Sequence, residues 1–425
     1  MKNTKEKFLN KYKLLDRRLN TDPDRNYEYL VNFSQTKNIP VHRWFYYQEG
    51  YSPDLVKNIF TEINLKSNAR ILDPFCGSGT SLVVAKELGY DSLGVEINPF
   101  SAFASEVKTR NYTTSEIKQI GEFANKDFSL TKKVKSLDIE FSLLGRLFTP
   151  GRLNKLLQIR EQIDNLQNIR VKNICFFAWL SVLEKVSNYR RGGNGLKKRI
   201  RINKVDPVVE FKNRLKEIYN DLSHLSSIHH EPGIINDSSI NLKKYDVGKF
   251  DVAIFSPPYA NCFDPFEVYK IELWMGGFVR NYEELRNKRK TALSSNLNAS
   301  IEKVFNLDNM PEILADIISY LRKNQLWDTR LPYMLNNYFI QMREVLQALF
   351  GKLEKNGYCA IVVGNSAYGT LPVPTDTILG LIGEDIGFRC KKIIVARTNE
   401  TSSQQHLKIG NLKEYLRESI VLLRK

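Results

Sequence analysis

The chain has 425 residues, enough for two or three domains of ordinary size or for one large domain carrying insertions, so core size excludes neither. Lys and Arg outnumber Asp and Glu by 63 to 47, a formal net charge of +16 that favours a polyanionic partner but decides nothing alone, since an AT-rich coding bias also enriches Lys and Asn. The five cysteines, at 76, 175, 262, 359 and 390, lack the paired spacing of metal or redox sites, the amino terminus is charged without an apolar core, and no stretch has the apolar length of a membrane span. The expectation is a cytoplasmic protein with reduced thiols, no metal and no membrane association.

Residues 1 to 40 are polar and basic and read as one loose helix plus an extended arm. His42 to Val56 opens with the aromatic patch Trp44-Phe45-Tyr46-Tyr47 and ends in a helix start, with Ser52 as N-cap and Pro53 in the first turn. Tyr51 and Ser52 either present a ring and free N–H groups to a small ligand or cover the end of a sheet. The first strong pattern is strand, glycine turn, helix: Ala69 to Leu72, then Asp73-Pro74-Phe75-Cys76-Gly77-Ser78-Gly79-Thr80, then an apolar-periodic run to Leu88. Gly77 and Gly79 let the backbone approach a ligand, and the helix after Thr80 offers its N–H groups. Asp91 to Pro99 reads as a second strand ending in Glu96-Ile97-Asn98, an acid where a ribose-binding carboxylate belongs. That acid suits NAD as well as S-adenosylmethionine. Against the dinucleotide, Leu82 stands where the third fingerprint glycine belongs, and Asp73 in the turn repels a pyrophosphate, whereas an ammonium and a sulfonium gain from the same charge.

From 111 to 229 the pattern is helical, with runs such as Leu143 to Arg160 and Val171 to Val186, and reads as an insertion. Its most polar part, Ser187 to Arg201, is a glycine-rich basic loop holding Tyr189, Arg190, Arg191, Lys197, Lys198, Arg199 and Arg201, which either tracks phosphates or is a solvated charge run. Ile234 to Ser239 ends a third strand with Asp237 and Ser238; Asp237 is placed to accept from an adenine amino group while Ile97 packs on the ring. Phe250 to Phe255 is a fourth, buried parallel strand that Pro257 and Pro258 stop, leaving Ser256-Pro257-Pro258-Tyr259 at its carboxyl end. Alone, that tetrad is ordinary turn punctuation. Residues 260 to 337 form a second helical and irregular insertion, a recognition element or a lid. A helix from about Tyr333 to Lys355, a fifth strand at Tyr358 to Ser366, and strands at Lys392 to Arg397 and Glu418 to Leu423 around a polar loop at Thr398 to Leu407 complete an α/β fold with a mostly parallel sheet of about seven strands. His229-His230 has no matching ligand set, so no metal is assigned. The domain expectation is a catalytic unit at 1–110 and 230–425, a helical insertion at 111–229 and a second insertion at 263–332.

With these residues in hand, the chain resembles the S-adenosylmethionine-dependent amino-methyltransferases of DNA, and most closely their N4-cytosine members. Asp73-Pro74-Phe75-Cys76-Gly77-Ser78-Gly79-Thr80 is similar to their cofactor motif, and Ser256-Pro257-Pro258-Tyr259 to their catalytic tetrad, whose first residue is typically Ser for cytosine and Asp or Asn for adenine. Tyr51-Ser52-Pro53 resembles the amino-terminal motif lying against the methionine end of the cofactor. The resemblance covers roughly 40–110 and 230–425 and implies a Rossmann-like methyltransferase fold, with Tyr51, Ser52, Asp73, Phe75, Gly77, Gly79, Thr80, Glu96, Ile97, Asn98, Asp237 and Ser238 on the cofactor. It implies double-stranded DNA as partner, a monomer on DNA, and a restriction-modification system with a separate restriction endonuclease or another bacterial DNA-marking system; the insertions lie outside the resemblance, and the basic loop is the candidate DNA contact from its own residues. In the expected chemistry the Ser256 hydroxyl and Pro257 carbonyl each hold one amino hydrogen and Tyr259 stacks on a flipped base. The same acceptors would hold an adenine amino group, so an N6-adenine enzyme on DNA or RNA, or a non-catalytic nucleic-acid-binding module, stays open at this point.

Overall fold

The computed structural model describes residues 2–48, 50–128, 137–193, 195–201, 204–225, 230–398 and 409–425. Eight strands share one sheet: β1 (Thr21–Pro23), β2 (Arg70–Asp73), β3 (Asp91–Val95), β4 (Gly233–Ile235), β5 (Phe250–Phe255), β6 (Leu353–Gly364), β7 (Arg389–Thr398) and β8 (Arg417–Arg424). Their order is β1-β7-β8-β6-β5-β2-β3-β4. All pairings are parallel except those of β8, which runs antiparallel to both neighbours. This is an open, Rossmann-like α/β fold.

A parallel sheet is covered by helices on both faces, so its strands must be apolar on both. In β5, Phe250, Ala253 and Phe255 enter one core and Val252 and Ile254 the other, all five buried. Each such large side chain contributes about 1.5–3 kcal/mol by burial. The first core takes the helix Leu331–Lys352, and the second takes the helix Pro53–Glu62. The paired registers Ile71 with Val252 and Leu72 with Leu93 align the carboxyl ends of β2, β3 and β5. The strand order reverses at β2, which is where an open α/β sheet offers a crevice.

A third core binds the helices Thr114–Asn125, Pro150–Asp164, Ile169–Val186 and Pro207–His224 to the short helices Pro265–Val268 and Lys270–Met275 and to Trp44 and Phe45. The first insertion therefore packs as one body with the start of the second, as far as Leu285, whereas Leu293 and the helix Glu312–Lys323 of the second join the first core. Asp221 clamps it to the aromatic segment, accepting from Trp44 Nε1 at 2.8 Å, from Arg43 Nε at 3.1 Å and from the Val41 amide at 3.2 Å.

Three expectations are corrected. The amino-terminal helix, Lys2–Arg18, is not loose, since Arg417 ties its Asp16 to the buried Asp376, and the extended arm after it adds an eighth strand to the sheet, Thr21 pairing with Ile393. The helical run Leu143 to Arg160 breaks into Leu144–Leu147 and Pro150–Asp164, because Thr149 precedes a proline and is extended at φ −67°, ψ 153°. The basic loop is a hairpin, Tyr189–Arg191 antiparallel to Leu196–Lys198. His229, Asn194 and all of the expected 398–407 loop except Thr398 lie outside the described residues. The five cysteines are unpaired, no helix among the described residues is long and apolar enough to cross a membrane, and none of those residues cluster as metal ligands.

Candidate active site

The turn after β2 is held from below. Asp73 Oδ1 accepts from the Phe75 amide at 3.0 Å, while Oδ2 accepts from Ser81 and, at 3.3 Å, from Tyr51. Burial pushes its pKa up to about 7, with the Ser81, Phe75 and Tyr51 bonds pulling the other way. Asp73 is thus a brace for the turn, and its carboxylate does not line the cavity above, a correction to its expected contact with a cationic ligand. Above it, Gly77 adopts φ +51°, and a Cβ there would lie 2.9 Å from Tyr47 Cε1, so only glycine leaves the turn open.

Glu96, at the end of β3, is buried. Oε1 accepts from the Asn98 amide at 2.8 Å and Oε2 from the Gly77 amide at 2.9 Å, so this side chain bridges the ends of β2 and β3. Burial pushes its pKa up to about 7 against those backbone bonds, with Asp73 adding to the rise. Each oxygen keeps a second lone pair for a ligand hydroxyl.

At the end of β5 the backbone turns out of the sheet at Ser256 and Pro257. Ser256 Oγ donates to Tyr259 Oη at 3.4 Å, and Tyr259 Oη donates to Glu418 Oε1 at 2.7 Å. One cavity joins Ser256, Pro257, Pro258 and Tyr259 to Tyr51, Phe75, Gly77, Thr80, Glu96, Ile97 and Ser238. Residues 51 to 97 and the tetrad, separated by more than 150 positions in the chain, share one space.

Several expected residues serve the scaffold instead. Ser52 caps its helix, accepting from the Asp54 amide, and Asn98 does the same for Phe100. Gly79 begins the helix Thr80–Glu87 in the left-handed region at φ +86°, against Ser105. Asp237 turns to Tyr245 Oη at 2.6 Å and to Asn241 Nδ2 at 3.0 and 3.1 Å; burial raises its pKa, and these bonds with the Ser238 amide outweigh it, giving a net lowering. None of these four lines the cavity.

Sequence reasoning missed the opposite wall, made by Asn261, Phe263, Leu293, Ser295 and Asn296. Cys262, at φ +66°, donates its amide to the Ser295 carbonyl at 3.0 Å, and Asn296 Nδ2 donates to the Phe263 carbonyl at 3.3 Å, locking the two strips together. Asn261 to Phe263 follow the tetrad directly and were open to inspection; Ser295 and Asn296 carried no local signal.

The basic hairpin is anchored to the helices Ile169–Val186 and Lys270–Met275 through Arg191. Arg191 is buried, not free for a partner: it pairs with Glu184 at 2.6 Å and with Glu272, a correction to its expected place on DNA. Its guanidinium lies 4.9 Å from the centre of the Tyr269 ring, which stacks on Tyr47 of the cavity at 4.7 Å. Arg199 donates to the Ser187 and Glu184 carbonyls. Arg190, Lys197, Lys198 and Arg201 are exposed, and Tyr189 is half-buried.

Residues 3–105 match the DNA methylase family of N6 and N4 enzymes. The chain is 28% identical to the type II methyltransferase M.BsoBI of Geobacillus stearothermophilus over 93% of its own length and 88% of that protein. It is 27% identical to M.AvaI of Nostoc over 93% and 89%, and 34% identical to M.MjaII of Methanocaldococcus jannaschii over 39% and 32%. Likeness and geometry together support a DNA amino-methyltransferase. The cofactor is S-adenosylmethionine, and the residues present fit it. The open cradle at Gly77 leaves room for its amino-acid end, the carboxylate of Glu96 suits a ribose diol, and Phe75 and Ile97 offer apolar surface for its adenine. Bound there, the cofactor supplies an electrophilic sulfonium methyl.

Proposed function

We propose that the protein methylates the exocyclic N4 amino group of cytosine at specific sites in duplex DNA, as the modification half of a restriction-modification system whose endonuclease is a separate chain. The observation that carries this reading is the shared cavity: Ser256 and Pro257 open into the same space as Glu96 and Gly77. An aromatic amine is a poor nucleophile because its lone pair is delocalised into the ring. Two acceptors, the Ser256 hydroxyl and the Pro257 carbonyl, each take one amino hydrogen, draw the nitrogen towards tetrahedral geometry and aim its lone pair at the methyl group. Prolines at 257 and 258 fix the backbone and bring no competing N–H. No covalent enzyme intermediate is required, and the buried thiol of Cys76, pushed well up by burial, is no nucleophile.

An amino group inside a duplex is out of reach, so the target base is flipped into the space between Tyr259 and the wall at Asn261 and Ser295. The exposed cations of the hairpin, Arg190, Lys197, Lys198 and Arg201, contact phosphates near the cavity mouth. Ser at position 256 favours cytosine over adenine through the resemblance to cytosine enzymes. The test is transfer of labelled methyl groups to unmethylated genomic duplex DNA, followed by hydrolysis and chromatography of the nucleosides. N4-methylcytosine is the expected product; N6-methyladenine would refute the base assignment, and label appearing only in RNA would refute the substrate. Ser256→Ala with Tyr259→Ala is expected to abolish transfer while keeping cofactor binding.

A further inference from the structure

Glu418 lies on β8, away from the motifs that mark the site, yet its carboxylate reaches the tetrad. It is buried, and its two oxygens have separate partners. Oε2 receives Arg397, from Nε at 2.8 Å and from Nη2 at 2.6 Å, while Oε1 receives Tyr259 Oη at 2.7 Å. A hydroxyl can donate or accept, so a Ser–Tyr pair has no fixed direction by itself. A carboxylate only accepts and a guanidinium only donates. With Arg397 on one oxygen, the other remains an acceptor and obliges Tyr259 to donate to it. The Tyr259 oxygen is then left to accept, and Ser256 Oγ stands 3.4 Å away with its proton turned towards it.

We propose that Glu418 is a positioning residue that fixes the direction of the hydrogen bonds through Tyr259 and Ser256, so that the Ser256 hydroxyl meets the target amino group as an acceptor. This rests on the site's reading as a DNA amino-methyltransferase. Run the other way, the chain would end with the Ser256 proton facing an amino hydrogen, and one of the two acceptors that pyramidalise the nitrogen would be lost. Arg397 belongs to the device, because it decides which end of any side chain at 418 faces Tyr259.

The test uses the full chain and an isosteric change. In Glu418→Gln the guanidinium of Arg397 draws the amide oxygen, placing the amide NH2 against Tyr259 and reversing the chain; Glu418→Gln with Arg397→Met frees the amide to turn its oxygen to Tyr259 again. Single-turnover transfer from tritiated S-adenosylmethionine to unmethylated genomic duplex DNA is measured beside the cofactor Kd. Glu418→Gln is expected to slow transfer about 100-fold with Kd unchanged, and the double variant to recover about tenfold of that loss. A role in mere folding would make the double variant worse than the single one. The proposal is overturned by a Glu418→Gln rate near that of the natural chain, by a double variant as slow as the single, or by a Kd that weakens in step with the rate. A natural chain that labels no DNA would overturn the functional reading together with it.

Discussion

The affinity of the cofactor should depend on pH through Glu96. Its ordinary value is 4.5, and burial pushes it up to about 7. A raised carboxyl is neutral in the free protein at low pH, and its contribution to stability, full below 4.5, is lost as pH rises through 7. A ribose diol donates to the ionised form, so binding favours the carboxylate and expels a proton. Around pH 8 about nine tenths of the free protein is already ionised and around pH 6 about one tenth, so Kd for S-adenosylmethionine rises about tenfold on going down, or about 1.4 kcal/mol. Calorimetry in two buffers of different ionisation enthalpy reads both Kd and the proton count, with about half a proton released per cofactor at pH 7. Asp73 is also raised to about 7 but faces Tyr51 and Ser81, so Glu96→Gln should flatten the profile. A Kd constant from pH 6 to 8, proton uptake on binding, or an undiminished slope in Glu96→Gln would refute the assignment of Glu96 to the ribose.

Gly77→Ala places a Cβ 2.9 Å from Tyr47 at φ +51° and is expected to destabilise the turn by about 1–3 kcal/mol, with cofactor affinity falling further than the melting temperature suggests; unchanged calorimetric Kd would speak against the cradle. Arg191→Met leaves Glu272 buried without its cation and should cost about 3–5 kcal/mol in urea unfolding, most of it recovered by adding Glu272→Met. Replacing Arg190, Lys197 and Lys198 by Ala should reduce the slope of log Kd against log salt on duplex DNA by about 2–3 while leaving the cofactor Kd as it was; an unchanged slope would place the DNA elsewhere.

The sheet was legible because its constraints are local. Val252 to Phe255 are apolar on both faces and stop at two prolines, and Gly77 announces a turn that no side chain tolerates. What stayed hidden depends on partners distant in the chain. Nothing near Thr21 to Pro23 marks a strand, since that segment gains its partner at Ile393. Arg191 reads as one cation among many until Glu184 and Glu272 close on it, which turns an expected loop into an anchored hairpin. Asp73 shows the converse: its position in the motif was plain, but the direction of its carboxylate is set by Tyr51 and Ser81. Ser295 and Asn296 reach the cavity only through the Cys262 amide and the Phe263 carbonyl.

These long-range ties keep the chemical site separate from the helical body. The acceptors and the cofactor-facing residues end strands whose mutual register is fixed by backbone pairing, so their spacing does not depend on the helical body. The helical body has its own core, formed by the first insertion and the start of the second, and it meets the site where Tyr269 stacks on Tyr47 and where Phe263 lines the cavity. Changes on its outer surface can therefore be accommodated without moving Ser256 or Glu96. Changes at Arg191 cannot, because its guanidinium is paired with Glu272 under the Tyr269 ring, and a shift there passes to Tyr47 and the cofactor turn.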